Sequence, residues 1–387
     1  MAVLVTFFRT AIRFFRDADI FLFIVSLVST IYGILLINSI TKNFPPAQGG
    51  QTNVQIGAMI IGIVLFVLFS YIDIDIIADK SRFLFLFSIL MISTLLLWGV
   101  GEEEVNRGAW LRFGQIGIQP GEIVKVPFII IIARMIVNFK ERKTFNSIIS
   151  MLQIVFVFAT IFGFVLIVSQ DIGTALVYFG IFAIMLFVGG IKLRWLAIGA
   201  ALLTAATPLI WERFLSQKQR DRIMAPFAWE QIDPTRQGVL WQPDLSVEAI
   251  ATGGFRGQGL GNGRLTQTAH AIPAQHTDFI LSAAGEELGF IGCMVIIILL
   301  VTLIIRCVYI GVKSNNPLGL LVCMGAAGML VTQTVMNLGM ALGLMPVIGV
   351  PLPFFSYGGS SIVTCFAAMG IVSGIKMRPK PVRFRNL

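Results

Sequence analysis

The sequence predicts an all-α integral membrane protein, with about ten transmembrane helices and one large external loop between helices 7 and 8. Three observations predict it. The mean hydropathy is +0.87 and only 13% of the 387 residues are charged, a composition outside the range of soluble globular domains. Apolar runs of spanning length, about 17 to 25 residues, recur along the chain. The basic residues fall in short clusters beside alternate runs, as the positive-inside rule expects.

The first run, Ile20–Ile40, follows Arg9, Arg13 and Arg16. No small-residue cleavage pattern follows it, so it reads as an uncleaved first span. The next six runs are Val54–Ile72, Phe83–Val100, Ile123–Val137, Ile148–Val168, Thr174–Ile191 and Trp195–Trp211. The last three are Phe279–Gly311, Leu318–Leu344 and Ile362–Ile375. Positive charge at Lys80 and Arg82, Arg134 and Lys140, Lys192 and Arg194, Arg306 and Lys313, and from Lys376 through Lys380, Arg383 and Arg385 places every second connection and both termini in the cytoplasm. The alternate short connections hold only Lys42, Arg107 and Arg112. The stretch 212–277 is the exception in length and falls outside. With Trp229, Trp241 and short apolar pieces it is expected to be partly ordered. The whole chain, 1–387, reads as a single transmembrane domain that carries this loop.

The net charge of +9 does not imply nucleic acid, because the basic residues flank apolar runs instead of forming one patch. Cys293, Cys307, Cys323 and Cys365 all lie in apolar runs and form no CxxC. Cys293 and Cys307 stand roughly 21 Å apart at 1.5 Å per helical residue, too far for a bridge, and read as small buried apolar residues. His270 and His276 are the only histidines and lack zinc-ligand spacing.

The stretch from Gly253 to Gly292 organises the rest. Its glycines, among them Gly253, Gly254, Gly257, Gly259 and Gly261, lack a Walker Lys-Ser/Thr and do not fit GxGxxG. They suit either a mobile loop whose backbone approaches a bulky ligand or a plain linker. His276-Thr277-Asp278 then leads into an apolar run that contains Glu286 and Glu287. Carboxylates at the mouth of a membrane helix are costly unless water, a partner or a function retains them. Asp278 either caps the helix or performs chemistry. Glu286 and Glu287 either pair structurally or face a cavity and a cation such as Lys125.

Gln119-Pro120-Gly121-Glu122 with Lys125 places an acid and a base three apart, on one helix face, where they pair or line one cavity. Ser169-Gln170-Asp171-Ile172-Gly173-Thr174 reads as a tight turn capping the sixth span. Pro346, Pro351 and Pro353, followed by Ser356-Tyr357-Gly358-Gly359-Ser360, make an irregular entry to the last helix.

Taken together these motifs resemble the SEDS family of bacterial cell-wall proteins. The specific matches are Asp278-Phe279-Ile280 through Gly285-Glu286-Glu287-Leu288-Gly289 and Pro351-Leu352-Pro353 through Ser356-Tyr357-Gly358-Gly359-Ser360. The chain departs from the family at Gly121, at Ala274-Gln275 and at Ala109-Trp110. The resemblance implies a ten-helix peptidoglycan glycosyltransferase that polymerises lipid II in the cytoplasmic membrane and works with a class B penicillin-binding protein. It implies Asp278 as the catalytic residue. Lys125 first, then Arg222 and then Arg256 are expected at the departing diphosphate, and Glu122, Glu287, Trp110 and Ser356 complete the expected substrate-binding set. No organic cofactor is called for, and a divalent cation is left open. The other readings are a lipid II flippase, on account of Lys125 and Glu122, and a noncatalytic scaffold.

Overall fold

The computed structural model describes residues 16–42, 50–101, 108–114, 116–213, 215–268, 272 and 274–378. Arg9, Arg13, Arg107, His270, Lys380, Arg383 and Arg385 lie outside the described residues. The chain is a multi-pass membrane protein. Its first helices are α1 (Ile20–Thr41) and α2 (Gln51–Tyr71), followed by short α3 (Ile74–Asp79), α4 (Ser81–Ser93) and α5 (Leu95–Trp98). A two-stranded antiparallel hairpin, β1 (Leu111–Phe113) with β2 (Ile116–Ile118), sets Arg112 opposite Gly117. After it come α6 (Pro120–Ile123), α7 (Lys125–Glu141), α8 (Ile148–Val168), α9 (Ile172–Val188) and α10 (Leu193–Arg213). The long connection forms α11 (Gln217–Met224), α12 (Trp229–Ile232) and α13 (Trp241–Gly253), and the chain finishes with α14 (Ile280–Lys313), α15 (Pro317–Ala341) and α16 (Gly359–Met377).

Among the described residues, eight helices are long and apolar enough to cross a bilayer, with α4 and α5 counted as one. The other two expected spans correspond to α7 and α9, each of 17 residues. Helix α7 is also the more polar of the two, carrying Lys125, Arg134, Lys140 and Glu141. The fourth span starts at Lys125 instead of Ile123, since Pro120 opens a separate turn at Gln119. Expected order in the 212–277 stretch is present as three helices.

Helices α15 and α16 form the centre, and α16 lies close along α2: a Cβ on Gly370 would sit 2.6 Å from the Phe66 carbonyl oxygen. Such close helix contact relies on small residues where no hydrophobic drive exists between membrane helices. Helix α10, by contrast, buries none of its spanning window against the rest. At the opposite end from Asp278, the buried Asp19 caps α1 by accepting from Leu22 N at 2.8 Å. It also pairs with Arg306 of α14 at 2.7 Å and Lys376 of α16 at 3.1 Å. Burial pushes its carboxyl up, but these partners outweigh burial and hold it below the usual range.

Helix α14 departs from the single uninterrupted span expected from the sequence. Gly289 breaks it with φ 68 and ψ −163. A Cβ there would lie 2.4 Å from the Gly257 nitrogen, so only glycine permits both the dihedral and the approach. The glycine segment is therefore a backbone packed on α14, neither a free linker nor a loop held open for a ligand. Glu286 and Glu287 fasten it. Glu286 accepts from the backbone N–H groups of Leu265 and Thr266, both at 2.8 Å. Glu287 accepts from Ser39 Oγ at 2.6 Å, Gln267 Nε2 at 2.8 Å and Gly261 N at 3.1 Å. Both carboxylates are fully buried.

Candidate active site

Four segments distant in sequence converge at one end of the bundle. Asp278 sits on the turn before α14, where its N–H donates to Ala274 O at 2.9 Å. Its carbonyl accepts from Asn337 Nδ2 at 2.8 Å, and the same amide nitrogen donates to Val350 O at 2.8 Å. Asn337 of α15 thus pins the Asp278 turn to the irregular 343–358 segment. That segment rests on α9: a Cβ on Gly173 would meet Ile348 O at 2.5 Å. Tyr357 N donates to His276 O at 2.8 Å, which closes the other side.

The Asp278 side chain caps nothing. Helix α14 has Phe279 as its N-cap and receives no side-chain cap bond. Among the described residues the carboxylate has no ion pair, and it is half-buried. Gly349, at φ 72, leaves the space beside it open, with Oδ2 3.7 Å from where a Cβ would stand. Burial, and then the nearby Asp171 carboxylate, push the Asp278 carboxyl up to about 7, with Arg222 of α11 opposing them. A carboxylate with an ordinary value near 3.9 is thereby brought to the pH at which proton transfer is most effective.

Asp171 was legible only as a cap, and it is one. Its carboxylate accepts from Thr174 N and Thr174 Oγ1, each at 2.8 Å. It also accepts from Gln119 Nε2 at 2.6 Å. Gln119 N in turn donates to Ser360 Oγ at 2.9 Å. The Gln-Pro-Gly-Glu turn, the α9 cap and the start of α16 are in this way one hydrogen-bonded frame. Within it Glu122 and Lys125, both buried, form an ion pair. Tyr178 Oη donates to Gly121 O at 2.8 Å and holds that turn against α9.

The expected substrate-binding set divides accordingly. Arg222 is half-buried and acts on Asp278. Lys125 and Glu122 are buried and paired with each other, and Lys125 does not pair with Glu286 or Glu287. Arg256 is exposed on the turn that packs over Gly289 and does not act on Asp278. Glu287 is spent on the glycine segment, its acceptor sites filled by the chain's own donors. Ser356 is buried too: its hydroxyl accepts from Leu352 N at 2.9 Å and its carbonyl accepts from Gln55 Nε2 at 2.9 Å. It shapes the loop. Trp110 is bridged to Val100 and lies over Gly117, in the hairpin whose Arg112 acts on Tyr357.

A family model described as cell cycle protein, FtsW/RodA/SpoVE, matches residues 19–380. The chain belongs to the FtsW/RodA/SpoVE family. It is 33% identical over 294 residues to the probable peptidoglycan glycosyltransferase FtsW of Geobacter metallireducens, covering 76% of each chain. To the peptidoglycan glycosyltransferase MrdB of Escherichia coli K12 it is 29% identical over 331 residues, 86% of this chain and 87% of that one. A solved structure described as the structural coordination of polymerization and crosslinking by a peptidoglycan synthase complex aligns at TM-score 0.76 with 26% identity, over 93% of this chain and 98% of that one. The crystal structure of RodA from Thermus thermophilus shares the fold, at TM-score 0.67, 24% identity and coverage of 93% and 97%.

In this FtsW/RodA/SpoVE chain one further residue, Asn337, belongs to the site's frame. Asn337 lies in the Asn-Leu-Gly-Met motif, but nothing local says which backbone it holds. Gln333 lies one turn deeper on the same face of α15. Below it, Val322 and Ala326 pack against Ile129 of α7 and Ile371 of α16 around a cavity of about 10 Å³. Gln333 is 1% exposed, and among the described residues neither its amide oxygen nor its nitrogen has a partner. An unpaired buried amide costs about 1–3 kcal/mol. Gln333→Leu is therefore expected to raise the thermal unfolding midpoint in detergent, where removal of a structural amide would lower it.

Proposed function

We propose that the protein is a peptidoglycan glycosyltransferase that polymerises lipid II at the outer face of the cytoplasmic membrane, with both termini in the cytoplasm. The observation that carries the mechanism is Asp278: a carboxylate at the head of α14 that caps no helix and has no ion pair among the described residues, within electrostatic reach of Arg222 and with its pKa brought to about 7. Asp278 takes the proton from the acceptor sugar hydroxyl. The resulting oxygen attacks the anomeric carbon of the lipid-linked donor from the side opposite the diphosphate, one C–O bond forms as another breaks, and the configuration inverts. The bond electrons leave with undecaprenyl diphosphate.

Charge develops on that leaving group, and preformed cations are the effective way to stabilise it. Arg222 takes first place because its charge reaches Asp278 and it is partly accessible. Lys125 contributes only where substrate parts it from Glu122. Arg256 belongs to the frame over Gly289. Among the described residues no three His, Cys, Asp or Glu side chains converge as metal ligands. The partner proposed for crosslinking the product is a class B penicillin-binding protein, a reading supported by the likeness to the synthase complex.

The buried Lys125–Glu122 pair also supports lipid II transport, because charged groups inside a bundle mark such pathways. Reconstitution of the purified protein into liposomes with lipid II, with no other polymerase, separates the readings. Glycan strands are the expected product. Transbilayer movement of lipid II without any polymer would replace polymerisation with transport.

A further inference from the structure

A second cavity, of about 220 Å³, lies away from Asp278 between the end of α11, helices α12 and α13 and the end of α15. Trp229, Arg236, Pro243, Asp244 and Leu342 line it. The Arg236 guanidinium lies 5.3 Å above the Trp229 ring. It donates two parallel bonds to Asp244, Nε to Oδ2 at 2.6 Å and Nη2 to Oδ1 at 2.5 Å.

This arrangement is held at a cost. Arg236 has φ 54, a left-handed backbone that non-glycine residues avoid. The buried Asp233 enforces it, accepting from Gly238 N and Leu240 N, both at 3.0 Å, while Arg236 N donates to Asp233 O at 3.0 Å. The Asp233 bonds hold the left-handed turn, and an exposed ion pair adds little to stability, so stability alone does not call for the fork. Strain of this kind collects at ligand-binding positions.

The chemistry selects the ligand. Arg236 and Asp244 together carry no net charge, so an anion finds no attraction there. Each keeps unused positions: the guanidinium has further N–H donors and the carboxylate further lone pairs. Donors and acceptors side by side, next to Trp229 and Pro243, suit a neutral ring that bears hydroxyls at its rim and C–H bonds on its face. Two helices link the cavity to the site. Helix α11 carries Arg222 towards Asp278 and ends at the cavity wall, Ala225 and Pro226. Helix α13 presents Val247 to the cavity, while Ser246 contacts Ser282 Oγ at 2.5 Å and donates to Ala341 O at 2.6 Å.

We propose that this cavity is a saccharide subsite, holding a sugar ring of the glycan strand one helix away from the reacting carboxylate. The proposal rests on the glycosyltransferase reading. The test uses the full chain in detergent with the β-1,4-linked tetramer of N-acetylglucosamine as probe, followed by saturation-transfer NMR. Binding is expected in the parent and in Asp278→Ala. Trp229→Ala and Arg236→Gln are expected to weaken it at least tenfold, and Trp229→Phe, which keeps the aromatic face, to restore it. With lipid II as substrate, Trp229→Ala is expected to shorten the strands several-fold.

No binding by the parent, or equal binding by Trp229→Ala and Arg236→Gln, overturns the subsite. So does displacement of the tetramer by vesicles of anionic lipid, which would make the cavity a headgroup site. A parent that binds the tetramer but makes no polymer ends the glycosyltransferase reading and leaves a saccharide site. A parent that polymerises without binding ends the subsite alone.

Discussion

Asp278→Ala is expected to lower lipid II polymerisation by about 10²–10⁴-fold, the contribution of a positioned general base, while the protein still folds. The fold survives because the Asp278 carboxylate supports nothing: it caps no helix and makes no ion pair among the described residues. Asn337 holds the turn through the Asp278 carbonyl, which alanine keeps. The pH profile carries the same signature. With its pKa raised to about 7, the base is protonated below neutrality, and polymerisation is expected to rise as pH passes through about 7.

Stability moves the other way. The folded carboxyl binds its proton more tightly than the unfolded one, so the stabilisation linked to that proton is complete below the ordinary aspartate value near 3.9. It is lost as pH rises towards about 7. Above that pH the parent carries an unpaired, partly buried charge. Asp278→Asn is expected to match or exceed the parent's thermal midpoint at pH 8 while making no polymer. A fall in midpoint equal to that of a core substitution would make Asp278 structural.

The second large effect concerns Lys125 and Glu122. Lys125→Met leaves Glu122 buried without its cation, a change that costs about 3–5 kcal/mol. Glu122→Leu alone leaves the ammonium in the same position. The double replacement removes both charges, and apolar pairs of similar volume are often as stable as the buried ion pair or more so. Thermal unfolding of the two single variants and the double in detergent should therefore show two low midpoints and a recovered third. If Lys125 meets the departing diphosphate, activity stays lost in the stable double variant. Recovery of polymerisation along with stability would confine the pair to a structural role.

The fold was largely legible because membrane spans announce themselves by length and apolarity, without reference to any partner. The ten runs and their boundaries survive with small shifts, such as Lys125 for Ile123 at the start of α7. The break at Gly289 was hidden, because it exists only where the Gly257 backbone crosses it, 32 residues earlier in sequence. For the same reason Glu286 and Glu287 could not be assigned. Their partners, Ser39, Gly261, Thr266 and Gln267, come from another helix and another loop, and no local pattern names them.

The site was legible as motifs but not as a geometry. His-Thr-Asp, Gln-Pro-Gly-Glu and Gln-Asp-Ile-Gly-Thr could each be read alone, and each does stand at one end of the bundle. The sequence puts Lys125 ahead of Arg222 and Arg256, whereas in the fold Glu122 takes up Lys125. Arg222 lies on an exposed helix of a long connection, with no periodic signal to aim it, yet it is the guanidinium acting on Asp278. Ser356 stands in a polar run of the sequence, and in the fold its hydroxyl closes its own turn on Leu352, a partner that no local pattern names.

The central claim is that a carboxylate at the head of α14 accepts the acceptor sugar's proton. Its most direct measurement is single-turnover coupling of lipid II by purified protein across pH 5 to 9, parent against Asp278→Asn, with folding checked by thermal midpoint at each pH. The account predicts a parent rate that climbs through about pH 7 and an amide variant that is folded and without a rising limb. A folded amide variant that couples at the parent's rate, with the parent's pH profile, would contradict it.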